Sequence, residues 1–236
     1  MEEEVKKNFL EKLADQFYEI ENIPIAFRDD FDIMYLAVKR NGNLLEFASD
    51  KMKNNKKLVI EAINENYTAI SHASTNLKTD EDVMTAAIEK NGLTLGYASD
   101  TIKNNKKIVL KAVKSHPFSI SYASDELLDD SEVVKEALKL NGNILLYVSE
   151  RLKNDKEIIL SAVKKNGKCF TYASKELKND KKFVMKVMKI DKYIYHCLSK
   201  ELQKDIEVIM IYEGMYHKLR ANNSEMELFS DCLIIF

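Results

Sequence analysis

The sequence predicts an all-α fold, an α-solenoid of 25-residue helical hairpins with a 50-residue superperiod, and three observations predict it. The stretch "FASDKMKNNKKLVIEAI" (47–63) returns as "YASDTIKNNKKIVLKAV" (97–113) and again as "YVSERLKNDKEIILSAV" (147–163). Repetition at such a fixed period is the mark of stacked supersecondary units. Each echo then divides into two gap-free blocks, which begin at Ala26, Lys51, Asn76, Thr101, Glu126, Arg151, Glu176 and Glu201. Within every block the apolar residues recur at helical spacing rather than in strand-like alternation.

Taken in chain order, residues 1–25 form an N-terminal capping helix, with Val5, Phe9, Leu13, Phe17 and Ile20 on one face. Seven 25-residue helical repeats follow over 26–200. The fifth position of each block is Asp or Asn (Asp30, Asn55, Asp80, Asn105, Asp130, Asp155, Asp180, and Asp205 beyond them). These side chains suit a helix N-cap, where they accept the unpaired N–H groups of the first turn. A helix of about ten residues should follow, its stripe at positions eight, nine, twelve and thirteen. It should stop at Asn41-Gly42, Asn91-Gly92, Asn141-Gly142 and Asn166-Gly167, with glycine in the left-handed conformation of a C-terminal cap. Pro117 ends one helix in glycine's place. A second, shorter helix runs through segments like "NLLEFAS", and the Ser at position twenty-four caps the turn into the next block. Positions two, eight, nine, twelve, thirteen, twenty and twenty-three make the core. One block cannot bury its own stripe, so neighbours must stack. Residues 201–236 read as a degenerate last repeat and a C-terminal cap ending in "ELFSDCLIIF".

Composition agrees with this fold and narrows function. Apolar residues are 45% and charged residues 31% of the 236, a folding and water-compatible balance. A net charge of -2, from 36 basic and 38 acidic residues, supplies no global drive toward nucleic acid or anionic membrane. Two Pro and six Gly favour helices over loops and sheets. Cys169, Cys197 and Cys232 form no C-x-x-C pair, so neither a disulfide framework nor a zinc knuckle is expected. The start "MEEEVKKNFLEKL" has no signal-peptide pattern, and no apolar run is long enough to span a bilayer. The expected location is the cytoplasm, or the interior of a host cell.

The phrase "ERLKNDKEIILSAVKKNGKCFTYASKELKND" (150–180) resembles the repeats of a bacterial tandem-repeat family catalogued as a domain of unknown function. The pattern L-K-N-D-K-E, A-V, N-G, Y-A-S extends over residues 27–200, most loosely in 51–75, where Asn66-Tyr67 replaces N-G. The resemblance implies a helical-repeat fold and a bacterial or phage-associated origin. It carries over no catalytic residue and no cofactor.

Chemistry is sparse. His72 stands where other blocks carry Phe47, Tyr97, Tyr122, Tyr147 and Tyr172, and reads as a ring in an aromatic slot. His116 precedes Pro117 and is expected to be exposed. The recurring Ser has eight equivalent copies, which suits capping and not a nucleophile. No Walker, dinucleotide-binding or G-x-S-x-G pattern occurs, so no enzyme, cofactor or metal is expected. The tyrosines at position twenty-two are expected in the core or lining a groove. Position three reads Arg28, Lys53, Lys78, Lys103, Leu128, Lys153, Lys178, a row that stacking would turn into a basic ladder. A parallel acid row (Asp50, Asp100, Glu126, Glu150, Glu176) points to mutual neutralisation on a solvated face. The expected function is a binding module or adaptor for a protein partner, acting as an inhibitor or effector in some settings. The alternative is a nucleic-acid-binding solenoid whose Lys53, Lys78, Lys103, Lys153 and Lys178 contact phosphates. Stacking residues give way to Tyr193, Tyr195, His196, Tyr212, Tyr216 and His217 in the last two blocks. These either contact the partner or seal the cap. The sequence leaves the oligomeric state open.

Overall fold

The structure, a computed structural model, describes residues 2–14 and 23–214. They fall into two compact bodies, Met1–Ser149 and Glu150–Phe236. Every regular element among the described residues is a helix.

In the first body the long helices are Glu2–Ala14, Phe31–Arg40, Lys56–Glu65, Glu81–Lys90, Lys106–Ser115 and Ser131–Leu140. Each of the last five starts where an Asp or Asn side chain accepts backbone N–H groups. Asn55 Oδ1 takes Leu58 N at 3.1 Å, and Asp130 Oδ1 takes Glu132 N at 2.8 Å and Val133 N at 3.3 Å. Asp30, Asp80 and Asn105 do the same. The stripe is buried without exception at positions eight, nine, twelve and thirteen, as in Leu58, Val59, Ala62 and Ile63. Each fully buried Leu, Ile or Val there contributes ~1.5–3 kcal/mol. In the first helix Leu13 is buried and Phe9 stacks on Phe27 at 5.0 Å, whereas Val5 is exposed; Phe17 and Ile20 lie outside the described residues.

The long helices do not end on left-handed glycine, which corrects the expectation for the Asn-Gly pairs. Asn41 itself closes the helix, its N–H bonding Ala37 O at 3.0 Å. Its backbone is extended (φ -149°, ψ 106°), and its Oδ1 accepts Asn43 N at 3.0 Å. One residue therefore ends the α-helix and caps the next element, the 3-10 helix Gly42–Phe47. Asn66 and Asn91 act alike before Tyr67–His72 and Gly92–Tyr97. Glycine is needed here for space. A Cβ on Gly42 would collide with the carbonyl oxygen of Ala62 and stand 3.0 Å from Asn66 N, and Gly92 meets Ala112 and His116 in the same way. Gly214 is the one described glycine with positive φ (74°).

The shorter helices are thus 3-10 in form, and that geometry adds a core position. Residues at position nineteen (Leu44, Ala69, Thr94, Ser119, Ile144) are all buried. Thr94 fits because its hydroxyl donates to Asn91 O at 2.7 Å.

Ser at position twenty-four caps a third, one-turn helix at Ser49 and Ser124, as expected, but not at Ser99. Ser49 Oγ accepts Met52 N at 3.2 Å above Asp50–Lys53. The same hydroxyl donates to a residue that local pattern did not single out, the Asp or Asn at position four. Ser49 reaches Asp29 at 2.7 Å, Ser74 reaches Asn54 at 2.7 Å and Ser124 reaches Asn104 at 2.6 Å. The Ser N–H meanwhile bonds the position-three carbonyl, as in Ser49 to Arg28 O at 2.8 Å. Each block is laced shut at its two ends.

The second body repeats this grammar in Lys156–Val163, Lys181–Met188 and Ile206–Tyr212, capped by Asp155, Asp180 and Asp205. Ser174 caps Leu177 N at 3.1 Å and donates to Asn154 at 2.6 Å. Phe170 at position twenty is fully buried and meets Phe183 with ring centroids 6.4 Å apart.

Candidate partner-binding surface

Two block positions converge on the edge made by the 3-10 helices of the first body. Position twenty-two supplies the rings. Contrary to the core expectation, Tyr97, Tyr122 and Tyr147 are 45%, 43% and 37% exposed, and Phe47 and His72 are half-buried. The side chain leaves the core because position twenty-two ends the 3-10 helix, while positions nineteen, twenty and twenty-three point inward. Tyr122 lies against the Cα of Gly96, whose added Cβ would be 3.1–3.3 Å from three ring atoms. Tyr147 meets Phe118 edge to face at 6.4 Å.

Position three supplies cations between these rings. Arg28 sits over the Phe47 ring at 5.6 Å. Lys78 Nζ donates to Ser71 O at 2.8 Å, next to His72. Burial lowers the Lys78 pKa below the ordinary lysine value. Lys53 and Lys103 are half-buried at the equivalent places. No carboxylate stands within ion-pair distance of Lys53, Lys78 or Lys103 among the described residues. In the second body Lys178 Nζ likewise bonds Thr171 O, whereas Lys153 pairs with Glu150 at 2.9 Å. The mutual neutralisation expected of the two rows is therefore made at Lys153 but not at Lys53, Lys78 or Lys103.

The second body brings together three of the six predicted C-terminal residues. Tyr195 and Tyr212 stack at 4.3 Å and 15°, and His196 stands edge-on to both. Tyr212 Oη and His196 Nε2 are 3.2 Å apart, and Tyr195 Oη donates to Gln203 O at 2.6 Å. Tyr193 belongs to the 3-10 helix Lys192–Cys197, but its side chain, and all of Tyr216 and His217, lie outside the described residues.

Other reactive groups are quiet. Burial pushes the Cys169 thiol up to about 12 and raises Cys197 as well, so both stay protonated near neutrality. His116 is half-buried rather than exposed, with its ring 6.0 Å from that of Phe118. No cluster of His, Cys, Asp and Glu able to hold a metal occurs among the described residues. No described helix is long and apolar enough to cross a membrane.

The long-helix side of each body carries the charge pairs. Lysine at position six reaches forward to the N-cap aspartate of the next block. Lys106 pairs with Asp130 at 2.8 Å and Glu132 at 2.7 Å, and Lys56 with Asp80 at 2.9 Å and Asp82 at 2.6 Å. Lys181 does the same to Asp205 and Glu207, and Lys156 to Asp180. Where position six is Glu81 the next cap is Asn105, whose Nδ2 donates to Glu81 at 2.9 Å. A local search misses this pairing because the partners are 24 residues apart.

Neither the curated proteins nor the solved structures contain a match to this chain. The family model described as "Domain of unknown function (DUF4116)" matches residues 30–78, 80–128, 130–178 and 180–212. Each match opens on an N-cap aspartate (Asp30, Asp80, Asp130, Asp180), and the first three close at position three, on Lys78, Leu128 and Lys178. One family repeat is thus a pair of blocks, and the four matches take in most of the sequence. The chain belongs to the DUF4116 family as a tandem array of its helical repeat.

Proposed function

We propose that this chain is a non-enzymatic binding module, an adaptor that offers the 3-10 edge of the Met1–Ser149 body to a protein partner. The observation that supports the reading is the exposure of Tyr97, Tyr122 and Tyr147 at one repeated position, in blocks whose core positions are all but closed to water. Tyrosine buries much area at small entropic cost and keeps a polar tip, which is why it concentrates at interface hot spots. Nucleic-acid binding through the lysine ladder has less support. Lys78 and Lys178 turn their ammonium groups toward backbone carbonyls, and Lys153 is held by Glu150. The trio Tyr195, His196 and Tyr212 satisfies itself internally, which favours a sealing role over recognition.

The test compares the wild-type chain with the variant Tyr97→Ser, Tyr122→Ser, Tyr147→Ser as bait in native lysate, with Tyr195→Ala as a control. A partner held by wild type and control should bind the triple variant at least tenfold more weakly, a loss of ~1.4 kcal/mol or more. The melting temperature should stay the same, because these rings are outside the core. Equal retention by the triple variant would refute the reading.

A further inference from the structure

We infer that the partner segment on this edge is an extended acidic peptide, its carboxylates meeting Lys53, Lys78 and Lys103 and its apolar side chains crossing Tyr97, Tyr122 and Tyr147. The inference rests on the binding-module reading and adds the chemistry of the partner.

The first support is where positive charge is left over. Lysines at position six are spent on carboxylates: Lys56 and Lys106 each hold two. Among the described residues, Lys53, Lys78 and Lys103 at position three are not. Lys78 is half-buried with a neutral carbonyl as its bonded partner, and burial depresses its pKa, the signature of a cation without a counter-ion. An incoming carboxylate would supply that counter-ion in partly desolvated surroundings, where a charge-assisted hydrogen bond is at its strongest.

The second support is the interleaving. Arg28 lies over Phe47, and Lys78 bonds Ser71 O beside His72 through its ammonium and Ser99 N, two residues after Tyr97, through its carbonyl. Ring and cation therefore alternate along the edge. Stacked helices are ~8–10 Å apart, and an extended chain advances ~3.3 Å per residue. A carboxylate at about every third residue would keep register with successive lysines.

A protein segment fits better than a nucleic acid for two reasons on the same surface. Asp50 and Asp100 are exposed one turn before Lys53 and Lys103 on their one-turn helices. A backbone charged at every nucleotide would be driven onto these aspartates, whereas a peptide can place neutral residues there. The rings also offer little room for stacked bases, since Tyr122 rests on Gly96 and Tyr147 meets Phe118.

The experiment measures fluorescence anisotropy of a labelled peptide of six Glu-Leu-Ser triplets against the full chain. A Lys-Leu-Ser peptide of equal length and a fifteen-nucleotide oligo(dT) serve as competing chemistries. The Glu-Leu-Ser peptide should bind saturably, and both competitors at least tenfold more weakly. Lys103→Gln and Tyr122→Ala should each weaken it tenfold or more with unchanged melting temperature. Lys78→Gln should do so too, and if that variant melts low, Lys103→Gln decides, because its ammonium bonds nothing among the described residues. Lys106→Gln, which opens a charge pair away from this edge, should leave affinity within twofold. Equal binding of the Lys-Leu-Ser peptide, tighter binding of oligo(dT), or indifference to Lys103→Gln would overturn the inference. If the acidic peptide fails while the triple tyrosine variant still loses its captured partner, the acidic chemistry falls and the binding edge stands. If both tests fail, both readings fall.

Discussion

Ser124 and Ser99 occupy the same block position and do different work, and the difference lies in one neighbour. Ser124 Oγ donates to Asn104 and accepts the Leu127 N–H, so it laces its block and caps a helix at once. In the block of Ser99, position four is Thr79 rather than Asp or Asn. Ser99 Oγ turns to Thr101 at 2.7 Å instead, and caps nothing. Losing a serine cap costs ~1 kcal/mol. Ser124→Ala should therefore destabilise by about that much, and Ser99→Ala by distinctly less, in urea unfolding followed by circular dichroism. A larger loss at Ser99 would mean that the hydroxyl matters through something other than the cap and the position-four bond.

The decisive contact between elements is the approach of a 3-10 helix to the long helix of the next block. Gly42–Phe47 lies on Lys56–Glu65, and Gly92–Tyr97 lies on Lys106–Ser115, with glycine at the point of closest approach. The obstacle that a side chain at Gly92 would meet is backbone, the Ala112 carbonyl and His116 N, which cannot turn aside. Gly96→Ala meets the Tyr122 ring first, and that exposed side chain can swing into solvent. Gly92→Ala should thus cost ~1–3 kcal/mol by overpacking, and Gly96→Ala clearly less. Thermal melts of the two variants rank them, and the reverse order would contradict the geometry. The same contact accounts for the 50-residue superperiod of the first body, since Gly42 and Gly92 alternate with Tyr67 and Pro117.

Across the whole molecule the charge pairs between successive blocks make stability depend on pH at both extremes. Burial alone would raise Asp80, Asp130 and Asp205, but the lysine hydrogen bonds and cap amides outweigh it and hold all three below the ordinary value. Hydrogen bonds to Lys156 and the Phe183 amide lower Asp180 outright. A carboxylate whose pKa is depressed by folding stabilises the folded state above its unfolded value of about 3.9, and that contribution fades as pH falls toward the folded pKa. Lys56, Lys106 and Lys181 are raised, first by hydrogen bonds to their carboxylates. Their contribution is complete below the unfolded value of about 10.4 and fades as pH climbs through the folded one. Urea midpoints should therefore be level through the neutral range and fall at both ends. Lys106→Gln should shrink the acid-side fall without abolishing it, because the Val133 and Glu132 amides still hold Asp130. An identical acid limb in wild type and variant would show that the pair carries no linkage.

The sequence by itself determined the period, the caps, the stripe and the family resemblance, because these are local. An N-cap such as Asp30 is read from residues three positions away, and a stripe such as Leu58, Val59, Ala62 and Ile63 from one helical turn. Where a residue's role depends on a chain neighbour some twenty positions off, pattern was silent or pointed the wrong way. Glycine after Asn41 looked like a left-handed cap, and only the Ala62 carbonyl across the contact explains why no side chain is tolerated. Position four carried no apolar signal, yet Asn54 and Asn104 receive the serine hydroxyls that close their blocks. The candidate surface was half legible: the lysine row and the recurring tyrosines stood out, but not that they share an edge, that Tyr97, Tyr122 and Tyr147 face water, or that Lys78 pairs with no carboxylate among the described residues. Those facts are decided by the packing of one block on the next, which places side chains that no neighbour in sequence constrains.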